Sequence, residues 1–284
     1  MCGLHRVVGR WQPLLSASAK LLKREAELTM TDQHKPEDAL AEWWVSDAER
    51  RHAELFAQSS LPLAARLDAF PRYVQWQWLA RFVNLYELYR TIVPLKGAII
   101  DAGVLWGFSF MSFVRLRAML EPRRTDRFIY GFDSFAGFPA VSEHDRPPQG
   151  KPPTVGHLDA GRASLDELHA LLQADENALK PDSIWRDRLI AGDACATMPR
   201  FVAEHPHLVV SLLFLDFDIY EPTRVALETF VPRMPRGAVI AFDELNSPEW
   251  PGETLAVEHV LGISTLRLRR VEPYVGLSYA VIGD

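Results

Sequence analysis

Two short apolar runs, each ending in acids, limit what this chain can become. Leu208 to Leu215 ends in Asp216-Phe217-Asp218, and Ala238 to Phe242 ends in Asp243-Glu244. A short, continuous apolar run is the form of a parallel strand buried on both faces. The intervening Tyr220 to Arg233 reads as a helix long enough for a right-handed crossover, which makes the two strands parallel neighbours. Both carboxyl ends then open on one edge, where α/β sheets bind their ligands. The pattern implies an α/β fold with four carboxylates converging on one site.

The chain has 284 residues, enough for one large domain, or for one domain with a helical extension. Its formal net charge of −6, with Lys and Arg spread along the chain, argues against nucleic acid as a partner. Cys2 and Cys195 form neither a disulfide framework nor a metal cluster. The expected setting is a reducing cytoplasm, with no membrane partner, because no apolar run reaches the roughly 20 residues of a bilayer span. Residues 1–29 carry several Arg and Lys and no acid before Glu25, which gives a disordered arm or a transit-like peptide.

Residues 30–95 read as a helical cap ahead of the sheet. One helix is expected over 36–58, with Leu40, Trp44, Ala48 and Leu55 as its stripe. A second is expected from Tyr73 to Ile92, with Val74, Trp78, Phe82, Leu85 and Tyr89 packed on one face. From residue 96 the pattern becomes strand, glycine turn, helix. Ile99 and Ile100 end a strand at Asp101, and Gly103 and Gly107 allow close backbone approach before a helix. No G-x-G-x-x-G is present. Phe128 to Phe132 ends at Asp133, the position that holds a ribose diol in Rossmann-like sheets, or else an Asx-turn. Residues 139–163, rich in Pro and Gly and carrying His144 and His157, read as a mobile loop or lid. Ser164 to Ala178 reads as a helix, with a capping box at Ser164 and Glu167. Trp185 to Ile190 gives a third strand, followed by Asp193 as helix cap or ligand contact. Cys195 reads as a packed small residue. A further helix precedes two closing strands, Thr265 to Arg270 and Leu277 to Ile282, which suit an antiparallel edge.

The segments DAGVLWGFS, YGFDSFAGFP, GDACATMP and LDFDIYEPT with AFDEL, taken together, resemble the macrocin O-methyltransferase (TylF/MycF-type) family of S-adenosylmethionine-dependent class I methyltransferases over residues 95–284. That resemblance implies a Rossmann-like, mostly parallel sheet with an antiparallel edge strand. It also implies S-adenosylmethionine, a divalent cation such as Mg²⁺, and a sugar or other glycosylated or polyhydroxylated small molecule as acceptor. A homodimer is a family-level expectation. Carried over by position, the methionine part of the cofactor lies at Asp101 and Gly103, near Gly107 and Ser109. Asp133, followed by Ser134, holds the ribose, and Asp193 approaches the adenine. Asp216, Asp243 and Glu244 hold the metal. The family usually shows Asp-Asp where this chain has Asp243-Glu244, a carboxylate one methylene longer.

Methyl transfer needs acceptor oxygen, methyl and sulfur in line, and a residue to take the acceptor's proton. Asp216 is the first candidate, with His144 or His157 on the lid as the second. A hard cation among carboxylates would orient vicinal oxygens and lower the acceptor's pKa. Two rival readings remain open. Asp216-Phe217-Asp218 is also a D-x-D, the element of many nucleotide-sugar glycosyltransferases, and the same fold could serve a non-catalytic S-adenosylmethionine-binding protein.

Overall fold

The computed structural model describes residues 47–178, 187–273 and 276–284. The arm at 1–29, the start of the helix expected over 36–58, and the strand start at Trp185 lie outside them. The chain divides into two units at Tyr73 and Val74. In the described part of the first unit, helices α1 (Asp47–Ala57) and α2 (Leu63–Asp68) are tied by Arg66, which donates to the carbonyls of Phe56 and Leu61 at 3.0 and 2.9 Å. Tyr73 meets Phe56 edge-on, with ring centroids 5.1 Å apart.

The second unit opens with α3 (Trp76–Ile92) and then alternates strand and helix. In order these are β1 (Ala98–Ala102), α4 (Phe108–Leu120), β2 (Ile129–Asp133), α5 (Gly161–Ala178), β3 (Arg188–Ala191), α6 (Ala194–Glu204), β4 (Val210–Leu215) and α7 (Tyr220–Phe230). They are followed by β5 (Val239–Phe242), α8 (Pro251–Val260), β6 (Arg269–Arg270) and β7 (Ser278–Val281). The strands form one seven-stranded sheet in the order β3-β2-β1-β4-β5-β7-β6. Every pairing from β3 to β5 is parallel, and β7 runs antiparallel to both β5 and β6. This is the mostly parallel Rossmann-like sheet that the resemblance implies, with the reversed strand second from the edge.

Alternation along the strands splits the core between two faces. Ile99, Leu212, Phe214, Val239 and Ala241 pack under α3, α4 and α5, with Leu85, Phe113 and Leu168 among their partners. Ile100, Leu213, Leu215, Ile240 and Phe242 pack under α6, α7 and α8, against Met198, Leu227 and Val257. Both faces are covered, so the strands read as unbroken apolar runs. Behind the start of β1, the buried Arg127 guanidinium donates to both oxygens of Glu121, to the carbonyls of Ile92, Leu95 and Gly97, and to the Ser211 hydroxyl. That network ties the end of α3 to α4 and the sheet.

Several expectations are corrected. The buried face of α3 is Ala80, Arg81, Asn84, Leu85, Leu88, Tyr89 and Ile92, while Trp78 is 43% exposed. The stripe is rotated because the helix packs directly on the sheet and α4. Ser164 lies inside α5 and caps nothing: the helix begins at Gly161, whose N–H is met by the Asp159 carboxylate. A capping box does occur earlier, between Ser142 and Asp145. Only Arg269–Arg270 of the expected Thr265 to Arg270 strand pairs, since Ile263–Thr265 is a 3-10 turn. No helix among the described residues is long and apolar enough to cross a membrane.

Candidate active site

The sheet's register brings the strand ends together. Ala102 pairs with Leu215, and Leu215 with Phe242. The ladder continues one residue further: Asp216 N–H bonds to the Ala102 carbonyl at 2.8 Å, and Asp243 N–H to the Leu215 carbonyl at 3.1 Å. Backbone pairing therefore fixes Asp216 and Asp243 side by side at the carboxyl edge. Asp101, one residue inside the end of β1, is fully buried. Its Oδ2 accepts from the Ser109 hydroxyl at 2.9 Å, and its Oδ1 has no partner. Burial pushes this carboxyl up to about 8, against the pull of Ser109 and Arg81.

The turn after β1 is clamped by Asp133. Its Oδ2 accepts from the N–H groups of Val104 and Leu105 at 2.9 and 2.8 Å, and its Oδ1 from Phe135 N–H at 2.7 Å. Burial still raises its pKa. Gly103, at φ +106°, is the closest backbone crossing in the site: a Cβ there would stand 1.9 Å from the Asp216 carbonyl oxygen. At Gly107, φ +88°, a Cβ would meet the Leu168 side chain at 2.4 Å. The approach that these glycines allow is thus filled, on the Cβ side, by the protein itself. Ser134 is used in its own turn, donating to the Gly137 carbonyl and accepting from Ala136 N–H. Asp193 caps α6 through Cys195 N–H at 2.9 Å. The Cys195 thiol is pushed up to about 11 by burial and by Asp193, so it stays protonated, as a packed residue would.

The opposite half of the edge is acidic. Asp216, Asp218, Asp243 and Glu244 are joined by Glu253, from the first turn of α8, whose Oε1 accepts Glu244 N–H at 3.0 Å. Glu253 is fully buried, its Oε2 lacks a partner, and burial holds its carboxyl well above the usual range. Burial, then repulsion by Asp243, raises Asp216 well above that range and Glu244 to about 7. Asp218 is raised by burial and then by Glu244. Its φ is +63°, and Ile219 N–H bonds across it to the Phe217 carbonyl at 2.6 Å, a three-residue turn of the strained hand. Into this group α3 inserts Arg81. Its Nη1 donates to both oxygens of Asp243, at 2.7 and 2.9 Å, and its Nη2 to Asp216 Oδ2 at 2.7 Å.

A cation on Asp216, Asp243 and Glu244 would have to share ligands with a guanidinium, because both oxygens of Asp243 and one of Asp216 already bond Arg81. Among the described residues, no group of three His, Cys, Asp or Glu side chains is disposed to hold a metal ion. The lid histidines pack against aromatic rings. His144 stacks on Tyr220 with centroids 4.1 Å apart, and Tyr220 Oη bonds to His259. His157 stacks on Trp250 at 6.0 Å, with its buried Nδ1 unpartnered. The 139–163 loop is anchored by buried Asp145, whose Oδ1 accepts Tyr220 N–H at 2.6 Å and whose Oδ2 accepts from Ser142. A cleft of about 290 Å³ opens elsewhere, between β3 and α6 beside Ile190, Thr197 and Phe201, and none of the expected site residues lines it.

Arg81 and Glu253 were missed by sequence reading. Arg81 carried a signal: it sits three and four residues before Asn84 and Leu85, a charge inside an apolar helical stripe, which implies a buried partner. Glu253 carried none, since an acid in a first helical turn is satisfied by the helix dipole alone.

The family model described as macrocin-O-methyltransferase (TylF) matches residues 21–258. Among solved structures, the chain is similar to CalS11, a calicheamicin methyltransferase, at 31% identity over 89% of this chain and 100% of that one, with a TM-score of 0.78. It is similar also to the apo form of CalS11, described as a TDP-rhamnose 3'-O-methyltransferase of calicheamicin biosynthesis, at 28% identity over 91% and 100%, with a TM-score of 0.70. No curated protein matches the sequence.

Proposed function

The chain belongs to the macrocin O-methyltransferase family, and from that premise we propose that it transfers a methyl group from S-adenosylmethionine to a sugar hydroxyl of a natural-product small molecule or its nucleotide-linked precursor. Family membership sets aside the D-x-D glycosyltransferase reading. The observation that carries the donor assignment is the buried Asp101 with its unpartnered Oδ1, set beside the N-terminus of α4, where Gly107 supplies no side-chain cap. A fully buried, unpartnered carboxylate oxygen is costly unless a cation meets it. The α-amino group of a methionine is such a cation, and its carboxylate suits open N–H groups at a helix start.

The other contacts follow from remaining capacity. Asp133 spends two lone pairs of Oδ2 and one of Oδ1 on backbone N–H groups, which leaves Oδ1 able to accept one ribose hydroxyl. Gly103 and Gly107 shape the turn beneath, and Ser109 steadies Asp101. Ser134 holds the turn after Asp133, and Asp193, at the end of β3, borders the adenine. When bound, S-adenosylmethionine supplies an electrophilic methyl on a sulfonium, displaced in line by the acceptor oxygen. The chain's part is to align that oxygen, an effect worth roughly 7–11 kcal/mol of the barrier, and to receive its proton. Asp216 is proposed to receive it, as a carboxylate at the end of β4 held in place by Arg81. His144 and His157 belong with the 139–163 loop and are proposed to border the acceptor instead.

The test is methyl transfer from methyl-labelled S-adenosylmethionine to a panel of nucleotide-linked deoxysugars and glycosides, read by mass spectrometry. A singly methylated product, lost in Asp216→Asn, is expected. Failure of every acceptor, together with no affinity for S-adenosylhomocysteine, would refute the reading.

A further inference from the structure

The carboxylate edge contains its own cation. Arg81 stands on the sheet-facing side of α3, and its backbone is held there. Leu85 and Leu88, one and two turns on, are buried to within 1%. Asn84 is fully buried and donates to the Val271 carbonyl at 3.3 Å. From this fixed base the guanidinium reaches the ends of β4 and β5 and forks across them, taking both oxygens of Asp243 and one of Asp216. The Phe108 ring, 5.9 Å from Arg81 Cζ, borders it at the start of α4.

A divalent metal bridging Asp216 and Asp243 would compete for the Asp243 oxygens, both of which Arg81 holds. Mg²⁺ binds carboxylate oxygen at about 2.0–2.1 Å in octahedral geometry, closer than the guanidinium contacts. An ion bridging Asp216 and Asp243 would therefore have to displace Arg81 and leave a second cation beside itself. The planar fork of arginine matches two carboxylates better than a point charge does, and its charge is permanent.

We propose that Arg81 is the resident cation of this site: it holds the Asp216 and Asp243 carboxylates in place for the acceptor and occupies the position that a divalent metal would need. The inference rests on the methyltransferase reading for its role in the reaction, and on the ion-pair geometry alone for its effect on metal binding. Arg81 is a positioning residue here, acting through Asp216. It makes the arrangement of the site independent of added metal, and it excludes metal by charge as well as by space.

The experiment is Mn²⁺ titration followed by electron paramagnetic resonance, on wild type, Arg81→Gln, Arg81→Lys and Asp243→Asn, with S-adenosylhomocysteine titrations run in parallel. Wild type should show no saturable Mn²⁺ site at micromolar concentrations, and EDTA treatment should leave its turnover unchanged. Arg81→Gln should gain Mn²⁺ affinity by about tenfold or more, as expected when a like charge leaves the site. Arg81→Lys, which keeps the charge, should resemble wild type in Mn²⁺ binding. Stoichiometric Mn²⁺ binding by wild type that Asp243→Asn abolishes would overturn the proposal, as would a folded Arg81→Gln with unchanged affinity. Should Arg81→Gln fail to fold, the wild-type titration still decides. A wild type that does not bind S-adenosylhomocysteine would count against the methyltransferase reading and leave the metal result standing.

Discussion

Gly103→Ala probes the link between the β1 turn and the carboxylate edge. The added Cβ would stand 1.9 Å from the Asp216 carbonyl oxygen and 2.6 Å from its carbon, against 3.4–4 Å for ordinary contact. Backbone is on both sides, so no flexible side chain can yield. Either the turn or the end of β4 must move by more than an ångström. The φ of +106° adds strain, because a residue with a Cβ rarely adopts it. Strain of this kind costs about 1–3 kcal/mol, and overpacking about the same again, so a total of roughly 2–6 kcal/mol is expected. For a unit of this size each kcal/mol shifts Tm by about 2–4 °C, so the variant should melt roughly 4–24 °C below wild type. Asp216 is attached to the displaced carbonyl, and a misplacement of an ångström near the reacting atoms can cost about 100-fold in rate. Thermal unfolding by circular dichroism, with kcat measured on the same preparations, reads both effects. A Gly103→Ala protein with Tm within about 2 °C of wild type and unchanged kcat would refute the reasoning.

Other perturbations separate the parts of the structure. The Asp101 carboxyl is raised by burial from 3.8 to about 8, so its stabilising contribution is full below the lower value and is lost as pH rises through the upper one. The Tm of wild type should accordingly fall relative to that of Asp101→Asn as pH is raised between those values, and parallel curves would contradict this. Asp145→Ala removes the acceptor for Tyr220 N–H and the partner of Ser142, at a cost of about 1–3 kcal/mol. It should speed limited proteolysis within 139–163 and raise KM for the acceptor more than it lowers kcat. Arg127→Met strips buried Glu121 of one of its two guanidiniums, leaving Arg124, and takes a donor from the Ile92, Leu95 and Gly97 carbonyls, so it should destabilise by about 3–5 kcal/mol in urea unfolding.

Most of the frame was legible because burial on both faces leaves a plain signature. The runs 98–102, 210–215 and 239–242 are apolar except at their ends, so both the strands and the acids closing them stood out. Closing strand β6 is only two residues long because Ile263–Thr265 forms a 3-10 turn and Leu268 lies exposed. The α3 stripe was misread since its aromatic residues, Trp78 among them, outweigh in pattern the smaller Ala80 and the polar Arg81 and Asn84 that face the sheet. Asp101, Asp133 and Asp216 could be found from strand ends alone. What each one touches could not. The Asp133 clamp on Val104 and Leu105, and the Arg81 fork, join positions 28 to 162 residues apart and exist only in three dimensions. Metal ligation by Asp216, Asp243 and Glu244 was carried over by position from the family resemblance, and sequence position does not reveal that α3 sets a guanidinium against two of these carboxylates.

Isothermal titration of S-adenosylhomocysteine into wild type and Asp101→Asn tests most directly whether the carboxyl edge of this sheet is a methyl-donor site. Wild type should bind one molecule per chain with saturable heat, and Asp101→Asn should bind at least about tenfold more weakly, the order expected for losing a charge-assisted contact. No binding by wild type, or equal binding by the variant, would contradict it.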